Sequence, residues 1–181
     1  MTEAGWVVAT TTDSADETRR LAGAVASHCR PGDVVLLTGG LGAGKTVFAQ
    51  GFAAALGVEG PVTSPTFTLV REYPCGPNRA GIERLVHADL YRLDRLVEVL
   101  DLGLAELVDD VAVGLVEWGE AAAPALGTSA LHVTLAPLEG SADERDDDRR
   151  RVTIAGAGPA WADRRAAVAA VAPAPVAAPP R

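Results

Sequence analysis

Apolar and polar positions along the chain fall into blocks whose period switches between that of a strand and that of a helix. Residues 6–10 (WVVAT) are a short apolar run ending in a polar cluster, the pattern of a strand. Ser14, Ala15, Asp16 and Glu17 then carry the spacing of a capping box, and Leu21 and Val25 share one face of the helix it opens. Arg30-Pro31-Gly32 stops that helix. Residues 33–38 (DVVLLT) become continuously apolar after the aspartate, as a strand buried on both faces requires. A glycine-rich turn leads to a helix over 44–56, closed by Gly57. Residues 67–73 (FTLVREY) predict a strand, 74–81 a turn and 83–88 (ERLVHA) an antiparallel return. A helix over 95–108 is interrupted at Gly103, and residues 111–117 (VAVGLVE) are a second strongly apolar strand. Strands at 130–136 and 150–155 make a later hairpin around a charged loop, and residues 161–171 a last helix. The alternation is that of an α/β domain.

Length and composition bound this picture. At 181 residues the chain holds one compact domain, residues 1–171, followed by a Pro/Ala-rich flexible tail, 172–181. The net charge of -8 opposes tight, salt-driven binding to nucleic acid, so any RNA connection is expected to run through a partner. Two cysteines exclude a disulfide framework. The N-terminus lacks the basic flank and apolar run of a signal peptide, and no stretch reaches the roughly 18 apolar residues of a membrane span, so a cytoplasmic protein is expected. Fifteen of the sixteen basic residues are arginines; the single lysine is Lys45.

That lysine stands in Gly39, Gly40, Leu41, Gly42, Ala43, Gly44, Lys45 and Thr46, which fit G-x-x-x-x-G-K-[ST] between an apolar strand and a helix. Glycines permit the positive φ angles that aim successive N–H groups at phosphate oxygens, and the helix N-terminus adds its dipole. Lys45 supplies a compact charge to the β- and γ-phosphates, and the Thr46 hydroxyl a ligand for Mg²⁺. The segment is a nucleotide site.

Such a site needs an acidic residue at the end of an apolar strand beside the phosphate-binding strand. Glu117 ends the cleaner run and is assigned to Mg²⁺, directly or through water. Asp89 ends LVHAD, whose polar His87 marks a shorter or edge-adjacent strand, and becomes the candidate for orienting or deprotonating an attacking water. These roles can be exchanged on sequence grounds. Ser64 and Thr66 in VTSPTF are candidates for sensing the γ-phosphate, with a simple hydroxyl-rich turn as the equal alternative.

GGLGAGKT, SPTFTLV, HADLYRL and VEWGE, in this order and spacing, resemble the bacterial TsaE family of tRNA threonylcarbamoyladenosine biosynthesis ATPases. The resemblance covers about residues 14–120. It implies a P-loop fold, with a central, mostly parallel sheet, flanking antiparallel strands and helices on both faces. It also implies an ATPase using Mg²⁺ and ATP, working with TsaD and TsaB to place threonylcarbamoyl on the adenosine beside the anticodon in tRNAs reading ANN codons. In that resemblance Thr46 and Glu117 hold magnesium, Asp89 is catalytic or partner-coupled, Trp118 neighbours the nucleotide, and Tyr91 and Arg92 belong to a matching block. Adenine is implied near residues 12–15, including Ala15, and near Arg149, Arg150 and Arg151, which read more simply as a solvated strand end. Many members carry an acidic residue where this chain has Gly40.

Two other functions compete. A small-molecule kinase would use the arginines of ERDDDRRR as a lid, but five acidic side chains over 143–148 would repel phosphate. A nucleotide-dependent scaffold without turnover would not need both Asp89 and Glu117.

Overall fold

A computed structural model of the chain describes residues 4–93, 96–119, 129–138 and 148–172. Glu120, most of the acidic loop, and the tail beyond Ala172 lie outside the described residues.

Seven strands form one sheet: β1 (Ala4–Thr12), β2 (Val34–Thr38), β3 (Val70–Pro74), β4 (Arg84–Asp89), β5 (Ala112–Glu117), β6 (Ala130–Pro137) and β7 (Arg150–Ala157). Their spatial order is β1-β7-β6-β2-β5-β4-β3. The four central strands β6, β2, β5 and β4 are mutually parallel, and β1, β7 and β3 join the two sides antiparallel. This is the expected α/β arrangement. β2 and β5 are buried at every position, which explains why both read as unbroken apolar runs.

Two cores sit on the sheet's two faces. Val35, Leu37, Leu85, Leu115 and Val133 pack beneath α1 (Ala15–Ala26) and α2 (Lys45–Ala55), with Trp161 and Val168 extending the same cluster. Val34, Leu36, Val86 and Val116 pack beneath α3 (Leu96–Asp101) and α4 (Leu104–Leu107). Gly103, at φ 61°, separates α3 from α4 as its position in the pattern predicts.

The capping box is present in part, its return bond going to Asp13, one residue before the N-cap Ser14. Ser14 Oγ accepts from Glu17 N at 3.2 Å, and Glu17 Oε2 accepts from Asp13 N at 2.7 Å. α1 and α2 pack closely because Gly51 of α2 lies against the backbone of Arg19.

Three expectations shift. Residues 67–69 are not strand: the chain makes a turn in which Leu69, at φ 64°, donates its N–H to Pro65 O at 2.7 Å, and β3 begins only at Val70. The last helix starts as a 3₁₀ turn (Pro159–Arg164), with Pro159 in its first turn where the missing N–H is tolerated, and becomes α-helical as α5 (Arg165–Val171). Ala172, placed by composition at the start of the tail, is buried and donates its N–H to Val168 O at 3.1 Å.

Candidate functional site

β2 ends at Thr38, and the chain turns through 39–44 into α2. Gly39, Gly42 and Gly44 have φ of 139°, 75° and 104°, values that side chains rarely adopt. A Cβ on Gly39 would stand 3.1 Å from Ala43 Cβ and closer still to the Leu135 carbonyl oxygen, so only glycine fits. Gly40 is different: a Cβ there would meet nothing within 4 Å. Arg150, at the start of β7, grips this turn from the sheet side, donating from Nε to Ala43 O at 3.1 Å and from Nη2 to Gly42 O at 3.4 Å. The arginine thus belongs to the site's scaffold rather than to a solvated strand end.

Lys45 is buried at the first position of α2. Its Nζ donates to Gly39 O at 2.8 Å and Gly40 O at 2.9 Å and stands 3.7 Å above the Trp118 ring. Trp118 is held at φ 60°, a left-handed conformation costing about 1–3 kcal/mol for such a residue. Its N–H donates to Leu37 O at 2.9 Å, and its ring packs 4.9 Å from that of Tyr91. In this conformation the indole faces the Lys45 ammonium at the glycine turn.

The strand register brings the acids together. β4 pairs β5 in parallel with Asp89 opposite Glu117, and β5 pairs β2 with Glu117 opposite Leu37. Both carboxylates therefore leave the sheet on the α2 side, at the C-terminal end of the parallel strands where α/β sheets bind ligands. Both are buried. Glu117 lies 3.4 and 3.3 Å from Thr46 Oγ1 through its two oxygens, and His87 Nε2 lies 3.0 Å from its Oε1. Asp89 is ringed by donors: Oδ2 accepts from Ser64 Oγ and, at 2.8 Å, from Thr66 Oγ1, while Oδ1 accepts from Tyr91 N at 2.9 Å. Ser64 and Thr66 thus face the carboxylate, whichever role they also have toward phosphate.

Leu41, Gly42, Ala43, Gly44, Lys45, Thr46, Ser64, Thr66, Asp89, Glu117 and Trp118 line one open cleft of about 370 Å³, within the range of small-molecule sites. Gly39 and Gly40 stand behind it, offering carbonyls to Lys45. Ala15 does not line the cleft. It opens α1 beside Asp13, whose carboxylate accepts from Arg149 Nε at 2.8 Å. Phe67, next to Thr66 in the chain, is 85% exposed, with the Arg92 guanidinium 4.6 Å from its ring centre.

Sequence reasoning missed three contacts: His87 on Glu117, Arg150 on the glycine turn, and Lys45 on Trp118. A polar histidine inside an otherwise apolar strand was the one available signal.

The model of the family described as threonylcarbamoyl adenosine biosynthesis protein TsaE matches residues 12–147. The chain belongs to the TsaE family. A Bacillus subtilis relative, named tRNA threonylcarbamoyladenosine biosynthesis protein TsaE, is 38% identical over 143 residues, covering 79% of this chain and 82% of the relative. A Mycobacterium tuberculosis relative of the same name is 45% identical over 126 residues, 66% of this chain and 73% of its own length. The crystal structure of Bacillus subtilis YdiB superposes with a TM-score of 0.66 at 33% identity, covering 84% of this chain and 87% of that one. Among the described residues no helix is long and apolar enough to cross a membrane.

Proposed function

We propose that this TsaE family member binds ATP with Mg²⁺ in the cleft above the glycine turn and hydrolyses it, in support of threonylcarbamoyladenosine formation on tRNA. The names of its relatives supply the process. One observation carries the ATPase reading: the Thr46 hydroxyl and Glu117 carboxylate meet at 3.3 Å beside a left-handed glycine turn, with Asp89 opposite Glu117 in the sheet.

The residues suit the metal. Mg²⁺ takes hard oxygens, usually one or two from protein carboxylates and the rest from water and substrate phosphates, and Thr46 and Glu117 offer such oxygens. Among the described residues no group of three or more His, Cys, Asp or Glu forms a rival, self-sufficient centre. When bound, Mg²⁺ neutralises charge on the phosphate oxygens.

The chain's own groups do the remaining work. N–H groups of the glycine turn and the first turn of α2 cradle the phosphates. Lys45 Nζ exchanges the Gly39 and Gly40 carbonyls for β- and γ-phosphate oxygens, guided by the Trp118 ring. Asp89 orients a water whose oxygen attacks the γ-phosphorus as the bond to the β-phosphate oxygen breaks, and Asp89 Oδ2 takes the water's proton. That oxygen already accepts two hydroxyl hydrogen bonds, so Ser64 and Thr66 must yield before it acts. Slow turnover by the chain alone follows, with acceleration by partners, TsaD and TsaB, that reposition the 62–69 segment. The net charge of -8 favours reaching tRNA through those partners in the cytoplasm.

Phosphate release from ATP should be measured with the chain alone, with TsaD and TsaB, and with acceptor nucleosides. Stimulation by the protein pair alone is expected. Phosphorylated nucleoside would instead make the chain a kinase, and absence of turnover in every mixture would make it a scaffold.

A further inference from the structure

His87 is fully buried in the middle of β4, yet it is not a comfortable core residue. Its Nε2 lies 3.0 Å from Glu117 Oε1, while its Nδ1 is buried with no hydrogen-bond partner. An apolar side chain of similar size would fill this position without leaving a ring nitrogen unsatisfied, since an unpaired buried polar atom weakens a fold. The position therefore keeps the imidazole for what Nε2 does.

The register explains how it does so. His87 sits opposite Leu115 on β5, two residues before the Asp89–Glu117 pair, so its ring leaves the same sheet face and reaches diagonally to Glu117. As a metal ligand Glu117 is deprotonated and only accepts hydrogen bonds, which makes Nε2 the donor in that state. One Glu117 oxygen is thereby tied to β4, and the carboxylate plane is fixed at the end of β5. Both of its oxygens stay within reach of Thr46 Oγ1, Oε1 at 3.4 Å and Oε2 at 3.3 Å.

The geometry points to His87 as a positioning residue that orients Glu117 toward the divalent cation beside Thr46, without touching cation or nucleotide itself. This rests on the reading of Thr46 and Glu117 as the Mg²⁺ pair. Outer-shell partners of this kind typically contribute about 10–100-fold to metal affinity.

The test is calorimetric titration of the full-length chain with ADP, in EDTA and then over a series of MgCl₂ concentrations. His87→Leu should raise the Mg²⁺ midpoint about tenfold or more while ADP affinity in EDTA stays as in the parent. His87→Gln, whose amide nitrogen reaches the Nε2 position, should restore most of the midpoint. His87→Asn, whose amide reaches only the Nδ1 position, should not. An unchanged Mg²⁺ midpoint in His87→Leu overturns the proposal. So does equal loss of ADP binding with and without metal, the signature of a merely structural role. Should His87→Leu fail to fold by circular dichroism, the Gln and Asn pair decides: equal midpoints overturn the proposal. The underlying site reading fails separately, and the inference with it, when the parent and Glu117→Ala show the same Mg²⁺ dependence.

Discussion

Gly23→Ala and Gly51→Ala introduce the same methyl group on opposite sides of one helix–helix contact, and the structure gives them opposite signs. Both glycines lie inside helices, Gly23 in α1 and Gly51 in α2, where alanine is intrinsically favoured by about 1 kcal/mol. At Gly23 the new Cβ meets Ala55 Cβ at 3.4 Å and Gly51 O at 3.5 Å, ordinary contact distances, so the propensity gain survives. At Gly51 it would stand 2.5 Å from Arg19 Cα and 2.7 Å from its carbonyl carbon, and closer still to the oxygen. Those are backbone atoms and cannot rotate away. Restoring carbon–carbon contact distance requires α1 and α2 to part by roughly 1 Å. Overpacking of this kind costs about 1–3 kcal/mol, which outweighs the propensity term, and the backbone location puts it toward the upper end. The net loss of about 1–2 kcal/mol lowers the melting temperature by roughly 2–8 °C for a chain of this size, whereas Gly23→Ala raises it by about 2–4 °C. Thermal unfolding followed by circular dichroism reads both. Gly51 and Thr46 share one helix, so the displacement reaches the Thr46–Glu117 contact, and ATP turnover should fall more than stability alone explains. Stabilisation of both variants by similar amounts would refute the packing argument.

Asp89→Asn keeps an acceptor for Tyr91 N and presents an amide to the Ser64 and Thr66 hydroxyls, which can accept. ATP affinity should therefore change little while hydrolysis falls about 10²–10⁴-fold, and parallel loss of both in binding and phosphate-release assays would contradict the role proposed for Asp89 as base. Burial pushes the Cys29 thiol far up from its ordinary pKa, with the Asp33 carboxylate reinforcing the shift, whereas half-buried Cys75 is raised by burial alone. Maleimide or iodoacetamide at neutral pH should label Cys75 first and Cys29 only after unfolding; equal labelling of the native chain would be inconsistent with the packing around Asp33 and Arg164.

Much of this architecture was legible in the sequence because it is local. The glycine turn, its lysine and the flanking strand and helix lie within a few residues, and the fully apolar runs at β2 and β5 announced central strands. Glu117 could be placed beside the turn because its run was the cleaner one, and β5 does lie next to β2. The errors and omissions have a common physical origin in register and backbone conformation that composition does not carry. Phe67 and Leu69 have strand-forming side chains, but the left-handed Leu69 and the hydroxyl contacts to Asp89 make this segment a turn. Arg150 reads as a surface arginine until the pairing of β7 with β6 brings it to the glycine turn. His87 reads as a sign of a shorter or edge-adjacent strand, and β4 does lie beside the edge strand β3, but β4 is also buried from Leu85 to Asp89, and the histidine faces Glu117 across a pairing fixed only by the folded sheet.

The central claim is that main-chain amides, the one lysine and the Thr46–Glu117 pair hold a magnesium-bound adenine nucleotide. Isothermal titration of the intact chain with ADP and ATP in MgCl₂, alongside Lys45→Ala, tests it most directly. The account predicts saturable heat with the parent, weakened when EDTA replaces MgCl₂, and none with a Lys45→Ala variant that melts like the parent. A parent chain that gives no heat with either nucleotide, or a Lys45→Ala variant that binds as tightly as the parent, would contradict it.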